Sequence, residues 1–403
     1  MRNMKKLLWI SPAVPYDAVS HAGGKTYNYY IKYFQKSGQY DIHLISLAEA
    51  DEVPLLDAEQ YGISSDVCVV GGNLFKNVFR MVYNINSLYN IRHPLCQTIL
   101  SYQYRALKKR VKNYAKENRP EIVIMQWTGA AFLLPYVQEL FPQAKTVIIE
   151  EDVTFLGYQR RYEQENDARR KARYRYSYEH LKEKELNLLQ RSSIVVVNND
   201  KDRRLLVDNG IEESKIYTAA AYYDDYSSVG RKHIERKVLF YGGMHREENH
   251  RAAMWFAKNV MPLLKDDGIT FEVVGNHPRK EWNEVQSDKI QVEGFVEDVS
   301  PYFEHCLCMV APLELGAGVK VKILEGLSAG IPVLTNTVGI EGIAAQDGKE
   351  YIHCNTVQDY VVAIRRLLES PEAGRQIGEN ARQFMKNHYN LNRTLDGLMK
   401  VLE

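Results

Sequence analysis

Short apolar runs alternate with amphipathic stretches along the chain, and this alternation restricts the possible folds more than any other feature. In the first half, runs of strand length lie at Lys6–Ser11, Asp41–Leu47, Val67–Gly71, Glu121–Trp127, Lys145–Glu150 and Ser193–Asn198. Stretches with helical spacing lie between them, among them Gly24–Gln35, Ala130–Leu140 and Tyr158–Gln190. Strands that alternate with helices form βαβ units, so this half predicts a parallel sheet covered by helices.

The second half repeats the pattern. Its predicted strands are Lys237–Tyr241, Ile269–Gly275, Ile290–Gly294, Leu307–Pro312 and Pro332–Thr335. Its predicted helices are Arg251–Leu264, Val319–Ala329, Thr356–Leu368 and the tail Glu372–Glu403, with a break near His388–Leu391. We therefore expect an α/β protein of two doubly wound, Rossmann-like domains, for which 403 residues suffice. The expected boundaries are 1–221, a linker at 222–236, 237–385, and a C-terminal helix at 386–403 that packs back on the N-terminal domain.

The composition and the net charge of the chain restrict its expected cellular location and the classes of partner that it can bind. The net charge of +1 provides no overall field for nucleic acid, so we expect no nucleic-acid partner. The apolar run Leu7–Ile10 is too short for a signal peptide, and no run approaches the roughly 20 apolar residues of a membrane span. The Cys306-x-Cys308 pair lies in an apolar stretch, which favours buried thiols in a reducing compartment over metal ligation. We expect a cytoplasmic protein.

The segment from Val310 to Leu334 carries the clearest chemical pattern. A buried strand is followed by Gly-Ala-Gly at 316–318 and then by a helix. Small residues let the backbone approach a ligand, and the N–H groups at a helix start favour an anion. Lys320 and Lys322 add positive charge within the predicted first turn, where the helix dipole disfavours cations unless an anion offsets them.

Glu325 follows Lys322 by three residues and therefore shares its helix face. If the helix start holds a diphosphate, Glu325 can accept hydrogen bonds from both hydroxyls of a ribose. The alternative is that the lysines form a solvated helix face and that Glu325 only pairs with Lys322.

This segment resembles the donor-binding signature of GT-B-fold glycosyltransferases of the family 4 type, also called glycosyl transferases group 1. That signature is a Glu, seven residues and a second Glu, ahead of a Gly-x-Pro-Val strand. Glu325 matches the second Glu, and Gly330–Val333 matches the start of the strand. Ala317 stands in place of the first Glu, as in a branch of the family with Gly-x-Gly there, and Glu314 lies nearby as a substitute.

The resemblance is strong over residues 238–385 and implies further donor contacts. Gly242-Gly243-Met244 resembles the family's glycine turn, and the backbone at 294–296 would clasp the nucleobase. Asn249 lies where many members have a phosphate-binding Lys, and Arg246 could take that role instead. The donor-binding residues it implies are Gly24, Gly243, Arg246, Asn249, Gly294, Phe295, Val296, Glu314, Gly316, Ala317, Gly318, Val319 and Glu325.

The N-terminal half resembles the family in architecture and in two short motifs. His21, Gly23 and Lys25 belong to a Gly-Gly loop that opens a helix on the acceptor side, although a plain tight turn also explains it. Glu150, Glu151 and Asp152 end a strand. The resemblance implies that this acidic stretch faces the acceptor, with general-base duty for Glu151 and Asp152 as one interpretation. The other interpretation is that these carboxylates cap the next helix. The resemblance places Lys320 and Lys322 beside the leaving diphosphate as catalytic groups.

Residues 73–116 mix aromatic and basic side chains. Such a face can lie on an anionic membrane, which would make the protein peripheral at the inner face and favour a lipid-linked acceptor. It can also simply pack on its own domain with the basic side solvated, and this plainer interpretation is the one that we favour.

The resemblance implies a metal-independent, retaining hexosyltransferase without a cofactor. Its substrate is a nucleotide-diphosphate sugar, and its acceptor is a glycan, a lipid-linked molecule or a protein, in surface polysaccharide or glycoconjugate synthesis. A non-catalytic subunit that binds or stabilises a partner glycosyltransferase is the alternative. An epimerase or phosphorylase of similar fold also stays open. A dinucleotide-dependent dehydrogenase would need Gly-x-Gly-x-x-Gly after the first strand, which Ser11–Lys25 does not supply.

Overall fold

A computed structural model describes residues 4–19, 22–70, 98–315 and 318–403. The chain forms two compact units, one of residues up to Tyr222 together with Leu391–Glu403, and one of Tyr223–Asn390. Within the described residues, no helix is both long enough and apolar enough to cross a lipid bilayer.

The first unit contains a parallel sheet of seven strands within its described residues. The strands are β1 (Lys5–Ser11), β2 (Tyr40–Ala48), β3 (Ser64–Val69), β4 (Ile122–Gln126), β5 (Lys145–Glu150), β6 (Ile194–Val197) and β7 (Ile216–Thr218). Their order is β3-β2-β1-β4-β5-β6-β7, so the winding reverses between β1 and β4. In sheets of this kind, ligands bind at the carboxyl ends of the strands near that reversal.

Helices cover both faces of this sheet. Numbered in chain order within the described residues, they are α1 (Ala22–Lys36), α2 (Ser101–Tyr114), α3 (Trp127–Ala131), α4 (Leu134–Leu140), α5 (Thr154–Gln164), α6 (Ala168–Arg191) and α7 (Asp200–Asp208). Successive strand residues point to opposite faces, so Leu8 and Ile10 pack into one apolar cluster while Leu7 and Trp9 pack into the other. This continuous burial explains why the strands read as uninterrupted apolar runs.

The second unit repeats the architecture with six strands in its described residues. These are β8 (Lys237–Tyr241), β9 (Thr270–Val274), β10 (Ile290–Gly294), β11 (Cys308–Ala311), β12 (Val333–Thr335) and β13 (Ile352–His353), in the order β10-β9-β8-β11-β12-β13. Its helices are α8 (Glu247–Asn259), α9 (Ser300–His305), α10 (Val321–Ser328), α11 (Val357–Glu369) and α12 (Pro371–His388). Two doubly wound sheets confirm the predicted α/β class.

The last helix, α13 (Leu391–Leu402), belongs to the first unit. Its apolar stripe is buried in the same cluster as Trp9; the stripe consists of Leu395, Leu398, Met399 and Leu402. At its polar margin, the hydroxyl of Tyr29 donates to Asn392 Oδ1 at 2.6 Å, and that of Tyr33 donates to Asp396 Oδ1 at 2.8 Å. The helix thus covers α1 and completes one face of the sheet.

Several predicted boundaries differ from the structure. The stretch Tyr158–Gln190 is two helices, α5 and α6, because Glu165–Asp167 interrupts it. Trp127 begins α3 instead of ending β4, and Ala130–Leu140 is divided between α3 and α4. The segment expected as a linker at 222–236 lies in the second unit from Tyr223 onward, and that unit continues to Asn390.

Leu398→Ala tests how much α13 contributes to the stability of the first unit. We expect the free energy of unfolding to fall by about 2–5 kcal/mol, because a fully buried leucine leaves a cavity. Val401→Ala on the same helix is the control, since Val401 is 44% exposed and its truncation should change stability little. Urea denaturation followed by circular dichroism measures both. Equal losses in the two variants would contradict the packing of α13 on this face.

Candidate functional site

Two glycines allow the loops after β8 and β9 to approach each other closely. Gly242 has φ +149° and Gly275 has φ +157°, backbone conformations that other residues rarely adopt. A Cβ atom on Gly275 would overlap the carbonyl group of Gly242. The Gly242 N–H donates to Val274 O at 2.9 Å and fixes this approach. The carboxyl ends of the two strands therefore form a narrow edge built of backbone.

Lys322 lies directly under this glycine turn. Its Nζ is 2.5 Å from Asn249 Oδ1 and 4.6 Å from the centre of the Phe240 ring. A Cβ atom on Gly242 would lie 2.5 Å from the same Nζ, so a larger residue would displace the amine. Loss of hydration, with a smaller contribution from the charge of Arg246, lowers the pKa of Lys322 to about 7.

The N-termini of α8 and α10 both begin with a basic residue. Arg246 is the N-cap residue of α8 and pairs with Glu248 Oε1 at 2.7 Å. Lys320 is the N-cap residue of α10, one residue before the first turn in which it was expected, and its Nζ donates to Gly318 O at 2.6 Å. Helix dipoles and these cations together favour a bound anion such as a diphosphate.

Asn249 connects Lys322 to the glycine turn. The side chain is 5% exposed, its Nδ2 donates to Gly243 O at 2.9 Å, and its Oδ1 accepts from Lys322. Both ends of the amide are thus used within the protein. The resemblance implied that Asn249 binds the donor, in place of the family's Lys, and its contacts add a positioning role toward Lys322 that depends on the fold.

Glu325 lies on α10 one turn after Lys322 and is only 3% exposed. Burial, and to a smaller degree the charge of Glu325, raises the pKa of the neighbouring Tyr241. The charge of the same carboxylate also raises the pKa of Lys322 and so opposes part of the lowering that burial causes. The structure therefore brings together the lysine and the glutamate that the sequence predicted for the phosphate and the ribose.

The loop before α10 is described in part, because Gly316 and Ala317 lie outside the described residues. Gly318 is buried with φ +70°, and Val319 is half-buried. Glu314, the suggested substitute for the first Glu, is exposed, and its Oε2 accepts from Arg251 at 2.8 Å. Arg251 was not singled out from the sequence, since it appeared only as the start of a helix.

The end of β10 presents an aromatic ring to solvent. Gly294 has φ +72° and its carbonyl accepts from the Gly275 N–H at 2.7 Å, which ties this strand end to the glycine turn after β9. Phe295 is 72% exposed and Val296 is half-buried. Backbone groups and a π face are therefore available beside the Lys322 region for a flat ring such as a nucleobase.

Sequence reasoning missed a histidine pair at the end of β9. His245 Nδ1 lies 3.2 Å from Asn276 Oδ1, and the rings of His245 and His277 are 6.0 Å apart. His277 has φ +53°, a conformation that costs energy in a residue other than glycine and often occurs at functional sites. The available signal was the sequence Gly-Asn-His immediately after a predicted strand, where α/β sheets bind ligands.

In the first unit, Glu151 joins the ends of β4 and β5 to the start of α1. Its Oε1 accepts from Gln126 Nε2 at 2.9 Å, and the indole of Trp127 also hydrogen-bonds to it. A Cβ atom on Gly23 would lie 2.7 Å from Glu151 Oε2, so the glycine permits the contact. Burial raises the pKa of Glu151 well above its usual value. Trp127 itself has φ +63°, a strained conformation at this strand end.

The other residues predicted for the site in the first unit surround this contact. Gly24 is buried and Lys25 is half-buried in the first turn of α1, Asp152 is half-buried beside Glu151, and His21 lies outside the described residues. The predicted site residues thus divide between the two units, with Gly23, Gly24, Lys25, Glu151 and Asp152 in the first.

The helix after β5 receives a capping carboxylate that the sequence did not indicate. The capping carboxylate is Glu185 on α6, which accepts from the backbone N–H groups of Thr154 at 2.8 Å and Phe155 at 3.0 Å. Burial raises the pKa of Glu150, and it raises that of Glu185 to about 8. The charge of Glu185 raises the pKa of Glu150 further. Glu150 points inward to Thr128, whose Oγ1 donates to its Oε2 at 2.7 Å.

The described residues contain no group of three or more His, Cys, Asp and Glu side chains that could hold a metal ion. The Asp200-Lys201-Asp202 sequence lies in the first turn of α7, and the residue that caps this helix is Asn199, whose Oδ1 accepts from the Asp202 N–H at 2.8 Å.

Asn249→Ala tests the positioning role. Removal of the amide frees Lys322 from the glycine turn, so we expect affinity for inorganic pyrophosphate to fall roughly 10-fold, the effect of one charge-assisted hydrogen bond. Asn259→Ala is the control. Asn259 ends the same helix, and within the part of the chain that the structure describes its side-chain amide donates only to Trp255 O. Isothermal calorimetry measures both. Unchanged affinity in a folded Asn249→Ala protein would exclude this role.

Comparison with protein families matches residues 235–370 to the model described as Glycosyl transferases group 1. A curated relative, an uncharacterized 44.6 kDa protein in the cps region of Klebsiella pneumoniae, is 20% identical over 174 residues, which is 40% of this chain and 45% of that protein. The matched region therefore spans less than half the length of that relative.

Solved structures match nearly the whole chain. Sucrose-phosphate synthase from Thermosynechococcus elongatus has a TM-score of 0.70 at 12% identity, with 98% of each chain covered. Anabaena HepE in complex with UDP has a TM-score of 0.64 at 11% identity, covering 98% of this chain and 99% of that one. A glycosyltransferase from Rickettsia africae has a TM-score of 0.64 at 15% identity, covering 99% and 98%. At such identities the likeness concerns the fold, and the predicted GT-B fold is confirmed.

Proposed function

Because residues 235–370 match the family model described as Glycosyl transferases group 1, we propose that the protein is a glycosyltransferase that takes a sugar from a nucleoside-diphosphate donor. The observation that carries this proposal is the position of Lys322, whose amine is held under the glycine turn at the N-termini of α8 and α10. A cation that loses hydration at such a place is stabilised when a multiply charged anion binds.

The donor would extend from this point toward β10. Its diphosphate would contact Lys322, Lys320 and Arg246, and Glu325 would accept from the ribose hydroxyls. The nucleobase would lie against the backbone at Gly294 and the exposed ring of Phe295, whose stacking tolerates any base. UDP is the first nucleotide to try, since Anabaena HepE, a protein of similar fold, has been solved in complex with UDP and with UDP-glucose.

The chemistry is loss of a nucleoside diphosphate from the anomeric carbon and attack there by an acceptor hydroxyl. Lys320, Lys322 and the amides at Gly318 would stabilise the negative charge that develops on the leaving phosphate, without a metal. Retention of anomeric configuration and transfer of a hexose follow from the family resemblance. On the acceptor side, burial makes Glu151 a stronger base than an exposed carboxylate, which suits transfer of the acceptor's proton.

The acceptor would be a glycan, a lipid-linked molecule or a protein, in surface polysaccharide or glycoconjugate synthesis. The curated relative from the cps region of Klebsiella pneumoniae supports the polysaccharide setting. Such a reaction would use the nucleotide sugars of the cytoplasm, so we propose a cytoplasmic location.

A non-catalytic subunit is the second candidate. It is favoured by Ala317 in place of the first Glu of the signature and by the ion pair that already engages Glu314 with Arg251. Such a subunit would bind the nucleotide but would not cleave the donor. Slow hydrolysis of UDP-glucose or another UDP-sugar, with release of UDP, distinguishes the enzyme from this alternative.

Calorimetric titration with UDP, GDP, dTDP, ADP and inorganic pyrophosphate tests the donor site. We expect Glu325→Gln to weaken the preferred nucleotide roughly 10- to 100-fold and to leave pyrophosphate unchanged, because only the nucleotide has a ribose. Lys322→Met should weaken both ligands by a similar factor, because it removes a contact to phosphate.

Lys258→Met is the matched control, since Lys258 is an exposed lysine in the last turn of α8. Binding of none of the nucleotides by the unmodified protein would reject the proposed function. Equal weakening of pyrophosphate in Glu325→Gln would place that carboxylate near the phosphates and reject the ribose assignment.

A further inference from the structure

The helices α5 and α6 form an arm at the carboxyl ends of the strands of the first unit. α5 begins at Thr154, directly after the end of β5, and α6 returns the chain to β6 at Ile194. With 24 residues, α6 is about 36 Å long, whereas the six residues of β5 span about 20 Å. The two helices therefore extend beyond the edge of the sheet by roughly 15 Å.

Burial along α6 shows which part of the arm leaves the core. Its buried residues are Ser177, Leu181, Glu185, Leu188 and Leu189, so the nine residues from 168 to 176 contain none of them. In α5 only Phe155 is buried. The outer parts of the helices contact each other, for example through Lys171, whose Nζ lies 5.7 Å from the Tyr162 ring centre. The outer arm is therefore ordered but solvated.

The arm concentrates positive charge and tyrosine. Between residues 154 and 178 there are seven Arg and Lys residues and three Asp and Glu residues, a net charge of +4 in a chain whose total is +1. The basic residues are Arg160, Arg161, Arg169, Arg170, Lys171, Arg173 and Arg175, and the tyrosines are Tyr158, Tyr162, Tyr174, Tyr176 and Tyr178. Most of these cations are exposed, and all five rings are half-buried along the helices.

We propose that this arm, residues 154–178, binds the anionic headgroup surface of a phospholipid bilayer. Clustered Arg and Lys attract anionic lipids, and tyrosine rings favour the boundary between headgroups and acyl chains. The arm has too few aliphatic side chains to insert deeply, so it lies on the surface and its binding is electrostatic and salt-sensitive. An acidic soluble polymer is the competing partner, and the experiment below distinguishes it from a bilayer.

Docking of this arm has a consequence for the acceptor, and this step rests on the proposed function. Glu151 precedes α5 by three residues, so the arm and the predicted acceptor side lie at the same edge of the sheet. A bilayer bound by the arm would bring lipid-linked molecules to that edge. The acceptor class that fits is therefore a lipid-linked glycan or lipid phosphate.

Co-sedimentation with vesicles tests the surface. Vesicles of phosphatidylcholine alone are compared with vesicles of equal parts phosphatidylcholine and phosphatidylglycerol. The variant R169Q/R170Q/R173Q should bind the anionic vesicles on the order of 100-fold more weakly, since each basic residue strengthens binding about 5-fold. The control R105Q/K109Q/K112Q loses the same charge from exposed positions of α2, within the other basic stretch at 73–116, and should bind like the unmodified protein.

Three outcomes would overturn the proposal. The first is equal binding to both kinds of vesicle, and the second is loss of binding in the α2 control but not in the arm variant. The third is binding of the unmodified protein to dextran sulfate but to neither vesicle, which would point to a soluble polyanion. UDP titration of the same proteins distinguishes failure of the membrane proposal from failure of the proposed function. The proposed donor site lies in the second unit, so neither triple variant should change the affinity for UDP.

Discussion

The hydrogen bond between Lys322 and Asn249 is the interaction on which the proposed donor site depends. It holds an amine of lowered pKa beneath a backbone turn that only glycine can form, at the N-termini of two helices. Each component has a cost in isolation, namely the conformational entropy that the glycines lose on folding, the partly dehydrated lysine and the basic residues at helix starts. A bound diphosphate would offset these costs, because it would supply negative charge to the cations and acceptors to the backbone N–H groups.

The two units carry different kinds of chemistry. The second unit concentrates cations and backbone donors around Lys322. The first unit concentrates carboxyls near the ends of β4 and β5, namely the buried Glu150 and Glu185 and the half-buried Glu151, and loss of hydration raises the pKa of each. Anion binding suits the former, and proton transfer to or from a neutral acceptor suits the latter. This division matches what a group-transfer enzyme with a charged leaving group needs.

The sequence predicted the order and class of nearly all the elements because apolar runs of strand length and helical spacings persist through both halves. It missed β7 and β13, which have three and two residues and no apolar pattern of their own. Within the site, Lys322 and Glu325 could be found because they lie on one helix at fixed spacing. The roles of Asn249 and Glu185 could not, since each acts on a residue that the fold brings from another element. Strain at Trp127 and His277 is likewise set by tertiary contacts.

The most direct test of the central claim is an NMR titration of the Lys322 amine with and without the preferred nucleoside diphosphate. Without nucleotide, the amine should titrate near pH 7. With saturating nucleotide, the diphosphate should raise its pKa toward the ordinary value of about 10.4. Binding then takes up a proton above pH 7, so nucleotide affinity should fall as the pH rises through that region. A Lys322 titration that saturating nucleotide leaves unchanged would contradict the claim that this lysine holds the donor diphosphate.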